Sequence, residues 1–272
     1  MKIFVTGGSG FIGSNFIQYQ IKQNNKIFNF DKLTYASSDE SLISLKNNAN
    51  YIFIKGDITN RNHLEESVKY YKPNIIVNFA AETHVDRSID KPTDFIQTNV
   101  FGTYNLLQVS LNYFNSISSK EKDEFKLIHI STDEVFGSLD EKDFFNEKTS
   151  YDPSSPYSAS KASSDHFVRA WNKTYDLPTI ITNCSNNYGP YQFPEKLIPL
   201  MIINALKKQK LPVYGSGNNV RDWLHVFDHC RAIDIVFKNG KIGSSYLIGG
   251  NCEKTNLDIV NMICDIFDKK FK

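Results

Sequence analysis

Tyr157 and Lys161 stand four residues apart in Tyr157-Ser158-Ala159-Ser160-Lys161, a spacing that puts both side chains on one face of a helix. A tyrosine with the ordinary pKa of about 10 is a poor base at neutral pH. A neighbouring ammonium, helped by a positive ring bound beside it, favours the phenolate and lowers that pKa. The pair alone also fits two surface residues of any helix. Asp133 and Glu134, in Ser131-Thr132-Asp133-Glu134, are more discriminating. Two adjacent carboxylates offer a separate acid and base. Elimination of water next to a ketone needs both: one group takes the proton α to the carbonyl, and the other protonates the leaving hydroxyl. The plain alternative is an acidic start to a loop. His225 and His229 have a zinc-like i, i+4 spacing, but no third ligand accompanies them. Packing or a surface position is the expectation, and no metal site is expected.

A second constellation would hold a dinucleotide. Val5-Thr6-Gly7-Gly8-Ser9-Gly10-Phe11-Ile12-Gly13 carries glycines at Gly7, Gly10 and Gly13 between an apolar run and a helical pattern. Glycine permits the tight turn and lets a pyrophosphate approach the backbone, and the following helix offers free N–H groups and the positive end of its dipole. Asp31 ends the next apolar run, about 20 residues further on, where a carboxylate accepts from ribose hydroxyls and repels a 2′-phosphate. NAD is therefore expected over NADP.

The elements that must position these groups are short apolar runs alternating with helical stretches. Strands are expected at Lys2–Thr6, Lys26–Phe30, Tyr51–Lys55, Ile75–Phe79, Lys126–Ile130 and Thr179–Thr182. Helices are expected at Phe11–Lys22, Arg61–Tyr71, Asp94–Phe114 and Ser158–Tyr175. The alternation implies βαβ units, and the Ile/Val/Phe-rich runs imply a sheet covered on both faces. The fold class expected is α/β: a doubly wound parallel sheet (Rossmann) with a smaller, partly interleaved C-terminal substrate lobe. Residues 1–183 would form the NAD-binding domain. Residues 184–272, where Pro190, Pro194, Pro199, Pro212, Gly215 and Gly217 cluster, would form the lobe, with some chain returning to the sheet. Asn256–Lys272 has the apolar spacing of an amphipathic helix. The polar clusters Asp57, Ala80-Ala81-Glu82-Thr83, Ser131–Glu134 and Ser185-Asn186-Asn187 all follow expected strands, the end of such sheets at which ligands bind.

Charge is nearly balanced, 31 basic against 30 acidic residues, which gives no electrostatic case for nucleic acid or a membrane surface. No apolar stretch approaches the roughly 20 residues that span a bilayer, and the apolar start stops at Gly7, too soon for a signal peptide. Cys184, Cys230, Cys252 and Cys264 form no C-x-x-C pair, so buried thiols in a reducing cytoplasm are expected.

These residues resemble the dTDP-glucose 4,6-dehydratases, within the NAD-dependent epimerase/dehydratase branch of the extended short-chain dehydrogenase/reductases. The resemblance runs from Met1 to about Phe267. Besides the glycine turn and the Tyr157/Lys161 pair, it rests on Asp31-Lys32-Leu33-Thr34-Tyr35-Ala36, Ala80-Ala81-Glu82-Thr83-His84-Val85-Asp86-Arg87-Ser88 and Thr132-Asp133-Glu134. Asn183–Pro190, Phe193-Pro194-Glu195-Lys196-Leu197 and Arg221-Asp222-Trp223 complete it. It implies that Tyr157, assisted by Thr132 and Lys161, takes the proton of the sugar 4-hydroxyl while hydride leaves C4 for NAD. Glu134 would then remove the C5 proton and Asp133 protonate the 6-hydroxyl, so that water leaves and hydride returns to C6, a net lyase reaction of deoxysugar biosynthesis. The cofactor residues it implies are Gly7, Gly10, Phe11, Ile12, Gly13, Asp31, Lys32, Leu33, Thr34, Asp57, Ile58, Ala80, Ala81, Thr83, Thr98 and Asn187, with Tyr157 and Lys161. The nucleotide-sugar would meet Thr83, Thr132, Asn186, Lys196, Leu197, Pro212, Tyr214, Arg221 and Asn256. Arg221 suits a diphosphate through its bidentate fork.

The resemblance further implies a homodimer paired through Asp94–Phe114 and Ser158–Tyr175, with Phe101, Tyr104, Leu107 and Leu111 as an outward stripe. Two departures stand out. Phe136 replaces the family's usual Tyr, and family members continue past this chain's last helix, so an incomplete substrate pocket is expected. Alternatives are a UDP-glucose 4,6-dehydratase, a UDP-sugar 4-epimerase, which would not need Asp133 and Glu134, and a catalytically impaired NAD-binding protein.

Overall fold

In a computed structural model of the chain, described over residues 1–139 and 144–270, ten strands and ten α-helices alternate. The strands are β1 (Lys2–Thr6), β2 (Lys26–Asp31), β3 (Tyr51–Lys55), β4 (Ile75–Asn78), β5 (Lys126–Thr132), β6 (Thr179–Cys184), β7 (Asn186–Tyr188), β8 (Val220–His225), β9 (Ser245–Ile248) and β10 (Glu253–Thr255). The helices are α1 (Phe11–Lys22), α2 (Arg61–Tyr71), α3 (Val85–Asp90), α4 (Pro92–Phe95), α5 (Thr103–Ser116), α6 (Ser119–Glu124), α7 (Pro156–Tyr175), α8 (Leu197–Leu206), α9 (Val226–Asn239) and α10 (Asn256–Lys270). The helix expected over Asn256–Lys272 thus runs to Lys270, and Phe271 and Lys272 lie outside the described residues.

Seven strands form one sheet in the order β3-β2-β1-β4-β5-β6-β9, and every pairing in it is parallel. The order reverses direction between β1 and β4, which opens a crevice at the carboxyl ends of those strands. The apolar runs form strands because both faces of the sheet are covered. On one face Ile3, Val5, Ile128 and Ile180 pack against Phe16 and Ile17 of α1 and Ile233 and Phe237 of α9. On the other, Phe4, Phe28, Ile76 and Ile181 meet Leu64 and Val68 of α2, Leu106 and Leu107 of α5, and Val168 and Trp171 of α7. Fully burying each such side chain is worth roughly 1.5–3 kcal/mol. A second sheet, β10-β8-β7, lies with α8 and α10 around Met201, Trp223, Ile259, Val260 and Ile263. Among the described residues no helix is long and apolar enough to cross a membrane.

One expectation needs correction. Asp94–Phe114 is not a single helix. Pro92 starts the short α4, a π-helical turn follows over Ile96–Gly102, and only then does α5 begin. π-turns of this kind recur at functional sites. This one turns Asn99 inward, where its side chain accepts from the Glu82 N–H at 2.8 Å and donates to the Glu82 carbonyl at 3.0 Å and to Ser160 Oγ at 2.8 Å. Gly102 sits so close to Ile58 that a Cβ would lie 2.5 Å from its Cδ1. The outward stripe is also broken: Leu107 is buried, and Tyr104 and Leu111 pack on the core, leaving Phe101 half exposed.

Candidate active site

Each group reaches the crevice for a local reason. Gly7 adopts φ +69°, and a Cβ on it would come 2.5 Å from the Ala80 backbone nitrogen. A Cβ on Gly13 would lie 2.4 Å from the Gly7 carbonyl oxygen. The turn therefore packs directly against the end of β4 and against itself. No side chain caps the N-terminus of α1, and its first turn holds no acidic residue. The leading N–H groups of the helix thus face the crevice with the positive end of its dipole. Asp31, at the end of β2, is buried rather than exposed. It accepts from the Ser9 N–H at 2.8 Å, the Leu33 N–H at 2.7 Å and Ser37 Oγ at 3.3 Å, so it ties the glycine turn to the loop that follows. Lys32 and Asp57 form an ion pair at 2.8 Å beside it.

β5 ends at Thr132, whose hydroxyl accepts from the Glu134 N–H at 3.2 Å and caps a tight turn over Asp133–Phe136. The turn stops at Gly137, φ +83°, where a Cβ would collide with the Asp152 carbonyl. Phe136 is buried against Phe145 and Tyr151, a pocket in which a benzyl ring is at home. α7 begins with Pro156 at its first position and a Ser155/Ser158 capping box, so Tyr157 and Lys161 sit in its first turns with a fixed direction. Both are buried, and Lys161 Nζ donates to the Ile130 carbonyl at 2.8 Å.

The electrostatics separate the reacting groups. Burial, then the charge of Glu134, pushes Asp133 up to about 6. Burial also raises Glu134, which exposes much of its surface to the crevice, while Arg221 and Lys196 oppose the rise. Tyr157 differs from expectation. Burial, then Glu134 and Cys184, push its hydroxyl well above the ordinary tyrosine value, against a hydrogen bond from Thr132. The protein alone therefore does not lower this phenol. Burial pushes the Lys161 ammonium down as well.

One crevice gathers most of the expected residues. Its wall includes Gly7, Gly10, Phe11, Ile12, Gly13, Asp31, Lys32, Thr34, Asp57, Ile58, Ala80, Ala81, Thr83, Thr98, Thr132, Asp133, Glu134, Tyr157, Lys161, Asn186, Asn187 and Lys196. Leu33 is not part of it; with φ +58° its backbone instead turns back to Asp31. Leu197, Pro212, Tyr214, Arg221 and Asn256 do not line it either. Leu197 packs into the smaller core, and Tyr214 is 78% exposed. Arg221 is exposed and donates to the Val220 carbonyl at 2.8 Å, yet its charge reaches both Asp133 and Glu134.

Sequence reasoning missed how the crevice mouth is bridged. The Arg87 guanidinium lies 3.6 Å from the Tyr35 ring centroid and 3.2 Å from Glu195, His84 Nε2 stands 3.5 Å from Glu195, and Tyr35 meets Phe193 edge-on. No local signal marks these contacts, since they join segments 52 or more residues apart. The glycine cradle, the uncapped helix end and the buried, unpartnered Ser185 Oγ and Gln192 Oε1 in the wall all fit a dinucleotide. The four cysteines are unpaired. Cys184 and Cys230 are buried, whereas Cys252 is exposed, contrary to the expectation for all four. His229 is buried with Nδ1 2.9 Å from Asn187 Oδ1, and no metal-binding cluster occurs among the described residues.

Comparison with known proteins agrees with this geometry. The GDP-mannose 4,6 dehydratase family profile matches residues 4–271. A probable dTDP-glucose 4,6-dehydratase of Sinorhizobium fredii is 51% identical over 269 residues, covering 99% of this chain and 77% of that protein. The crystal structure of the Bacillus anthracis dTDP-glucose 4,6-dehydratase in complex with NAD is 50% identical, with a TM-score of 0.90 over 98% of this chain and 81% of that one. The Streptomyces venezuelae dTDP-glucose 4,6-dehydratase, also with NAD bound, is 41% identical with a TM-score of 0.91, covering 98% and 81%. A Thermus thermophilus UDP-glucose 4-epimerase shares the fold at 23% identity. With a glycine turn, a Tyr/Lys helix and a paired-carboxylate strand end in one crevice, and with half of its residues identical to those relatives, the chain belongs to the dTDP-glucose 4,6-dehydratase family.

Proposed function

We propose that the chain is a lyase that converts dTDP-glucose to dTDP-4-keto-6-deoxyglucose with bound NAD. The observation that carries the reading is the adjacent pair at the end of β5, where burial raises both carboxyls, Asp133 to about 6, while Arg221 and Lys196 oppose the rise at Glu134. Two neighbouring carboxyls in different protonation environments are what a water elimination requires. An epimerase has no use for them.

The chemistry NAD supplies when bound is reversible hydride storage between the sugar's C4 and C6. The residues that would hold it are those of the glycine turn, the first N–H groups of α1, Asp31 and the Lys32/Asp57 pair. Asp31 leaves no room for a 2′-phosphate charge. Tyr157 removes the proton of the 4-hydroxyl, with Thr132 beside it in the crevice wall. Burial pushes the phenol up, and a positive charge brought beside it favours the phenolate. Glu134 takes the C5 proton, made acidic by the 4-ketone. Asp133, protonated, gives its proton to the departing 6-hydroxyl. Lys196 lies in the wall near Glu134, and Arg221 is charged and near both carboxyls, so these two suit the diphosphate.

A homodimer and a cytoplasmic location complete the reading. Phe101 and Tyr175, each about half exposed, and Phe167 leave apolar surface on the helices that would pair. The four unpaired cysteines suit a reducing compartment. The test is incubation with dTDP-glucose and, separately, UDP-glucose, followed by the alkaline ultraviolet absorbance of a 4-keto-6-deoxy product. Turnover of dTDP-glucose supports the assignment; turnover of neither removes it.

A further inference from the structure

Lys161 is a buried cation with one hydrogen bond, to the Ile130 carbonyl at 2.8 Å. A buried ammonium without a counter-charge tends to lose its proton. The groups facing it are Tyr157 and Asp165 on its own helix, His129 on β5 and Cys184 on β6. Of these only Asp165 carries negative charge. Tyr157, Lys161 and Asp165 follow one another at four-residue steps, so they share one face of α7.

Asp165 is fully buried and anchored from three other segments. Its Oδ2 accepts from Ser131 Oγ of β5 at 2.8 Å, from the Tyr151 hydroxyl at 2.7 Å and from Asn183 Nδ2 of β6 at 3.3 Å. Its Oδ1 lies 3.4 Å from His129 Nε2. Behind His129 the polar contacts continue: Nδ1 stands 3.0 Å from Asn78 Nδ2, and Asn78 Oδ1 accepts from Thr6 Oγ1 at 2.6 Å. Burial, then the Lys161 charge, pushes His129 down, and an Nδ1 that accepts from Asn78 turns Nε2 toward Asp165 Oδ1, where the 3.4 Å approach makes no hydrogen bond. Burial alone would raise Asp165, but His129, Lys161 and Tyr151 outweigh it and keep the carboxylate ionised. Asn183 also donates to the Thr132 carbonyl at 3.1 Å, so the same anchor reaches the strand end that carries Asp133 and Glu134.

We propose that Asp165 is a positioning residue for the oxidation step: it is the buried counter-charge that keeps Lys161 an ammonium on the Tyr157 face of α7. It acts through Lys161 and touches neither substrate nor cofactor. The proposal rests on the role given to Lys161 in the reading above.

The test compares Asp165→Asn, Lys161→Met and the double variant with wild type, each carrying its NAD. In Asp165→Asn the alkaline limb of kcat should move down by about one pH unit or more, with KM within about twofold, because an opposite charge is worth about 1–3 units to its neighbour. In the Lys161→Met background, Asp165→Asn should change kcat by less than about twofold. Thermal unfolding supplies a readout independent of turnover. Lys161 sits below its unfolded value, so its charge opposes folding until pH rises through the folded pKa. Without Asp165 that cost grows, and the deficit in Tm against wild type should shrink as pH rises toward 10. Asp165→Ser, which removes the charge with a smaller side chain, should shift the limb in the same direction, and it carries the test if Asp165→Asn does not fold. An unmoved alkaline limb in the folded variants, or an undiminished loss in the Lys161→Met background, overturns the proposal. Failure of wild type to turn over dTDP-glucose would instead overturn the functional reading on which it rests.

Discussion

Asp133→Asn should make the protein more stable and the enzyme nearly useless. Asp133 is mostly buried beside Glu134, and its pKa is raised from 3.8 to about 6. A folded pKa above the unfolded one means that stability is fully present below the unfolded value and is lost as pH rises through the folded value. At about 1.4 kcal/mol per unit, ionising Asp133 in the fold costs up to about 3 kcal/mol at pH above 7. Asparagine, of the same shape, does not ionise. Its Tm should exceed that of wild type at pH 8, by roughly 2–4 °C for each kcal/mol gained. The gain should fade below pH 6 and vanish only below about pH 3, under the unfolded value, where both side chains are neutral. The same variant should lose about 100-fold or more in turnover, the usual cost of removing a positioned acid. It should still oxidise C4, so that absorbance at the NADH band builds up on mixing with dTDP-glucose instead of staying near zero. Differential scanning at pH 4 and 8 and stopped-flow absorbance read the two effects. A variant that is no more stable at pH 8, or that turns over normally, would refute the argument from the raised carboxyl.

Three further outcomes follow from the same geometry. Tyr157→Phe should retain its nucleotide, identified by mass as NAD after denaturation, yet form NADH on adding substrate about 100-fold more slowly or worse. Gly13→Ala should recover at least tenfold less NAD per chain, since its Cβ must displace the Gly7 carbonyl that lies 2.4 Å away; undiminished recovery would contradict the cradle. Arg87→Ala should release NAD faster, by up to about tenfold, because it removes one cation–π contact and one exposed ion pair at the crevice mouth; dissociation followed by nucleotide exchange decides it.

What the sequence made legible is what short-range chemistry dictates. The six expected strands appear at their places, three of them one or two residues longer and β4 one residue shorter, because Ile/Val/Phe runs with both faces covered have only one way to bury themselves. Tyr157, Lys161, Asp133 and Glu134 meet in the crevice because each lies at a strand end or helix start that the doubly wound topology brings to one edge. The rest was invisible for definite reasons. β7 and β10 are three residues each, too short to show a period, and their pairing with β8 crosses long stretches of chain. The π-turn over Ile96–Gly102 keeps helical spacing in the sequence. What breaks it is the demand of Asn99 for the Glu82 backbone, a tertiary contact. Leu107 read as an outward stripe because helical periodicity cannot say which face meets the sheet.

The Tyr157 phenol shows what spacing alone does not specify. From sequence, Lys161 together with a positive ring bound beside it lowers the phenol, and the Tyr-x-x-x-Lys spacing is realised on α7. Yet spacing fixes only direction, whereas a pKa depends on solvent. Both groups are buried, burial penalises the phenolate and the ammonium alike, and Glu134 adds a negative charge beside the phenol. Burial and Glu134 therefore favour the protonated phenol. Only a cation brought into the crevice reverses the sign, and the crevice is built to hold one: the uncapped α1 terminus and Asp31 secure a dinucleotide by its pyrophosphate and ribose, and Lys161, with Asp165 behind it, keeps its own charge. Base strength in this site thus belongs to the assembled complex and not to the Tyr/Lys pair, which is why the motif alone is weak evidence of chemistry and the complete crevice is strong evidence.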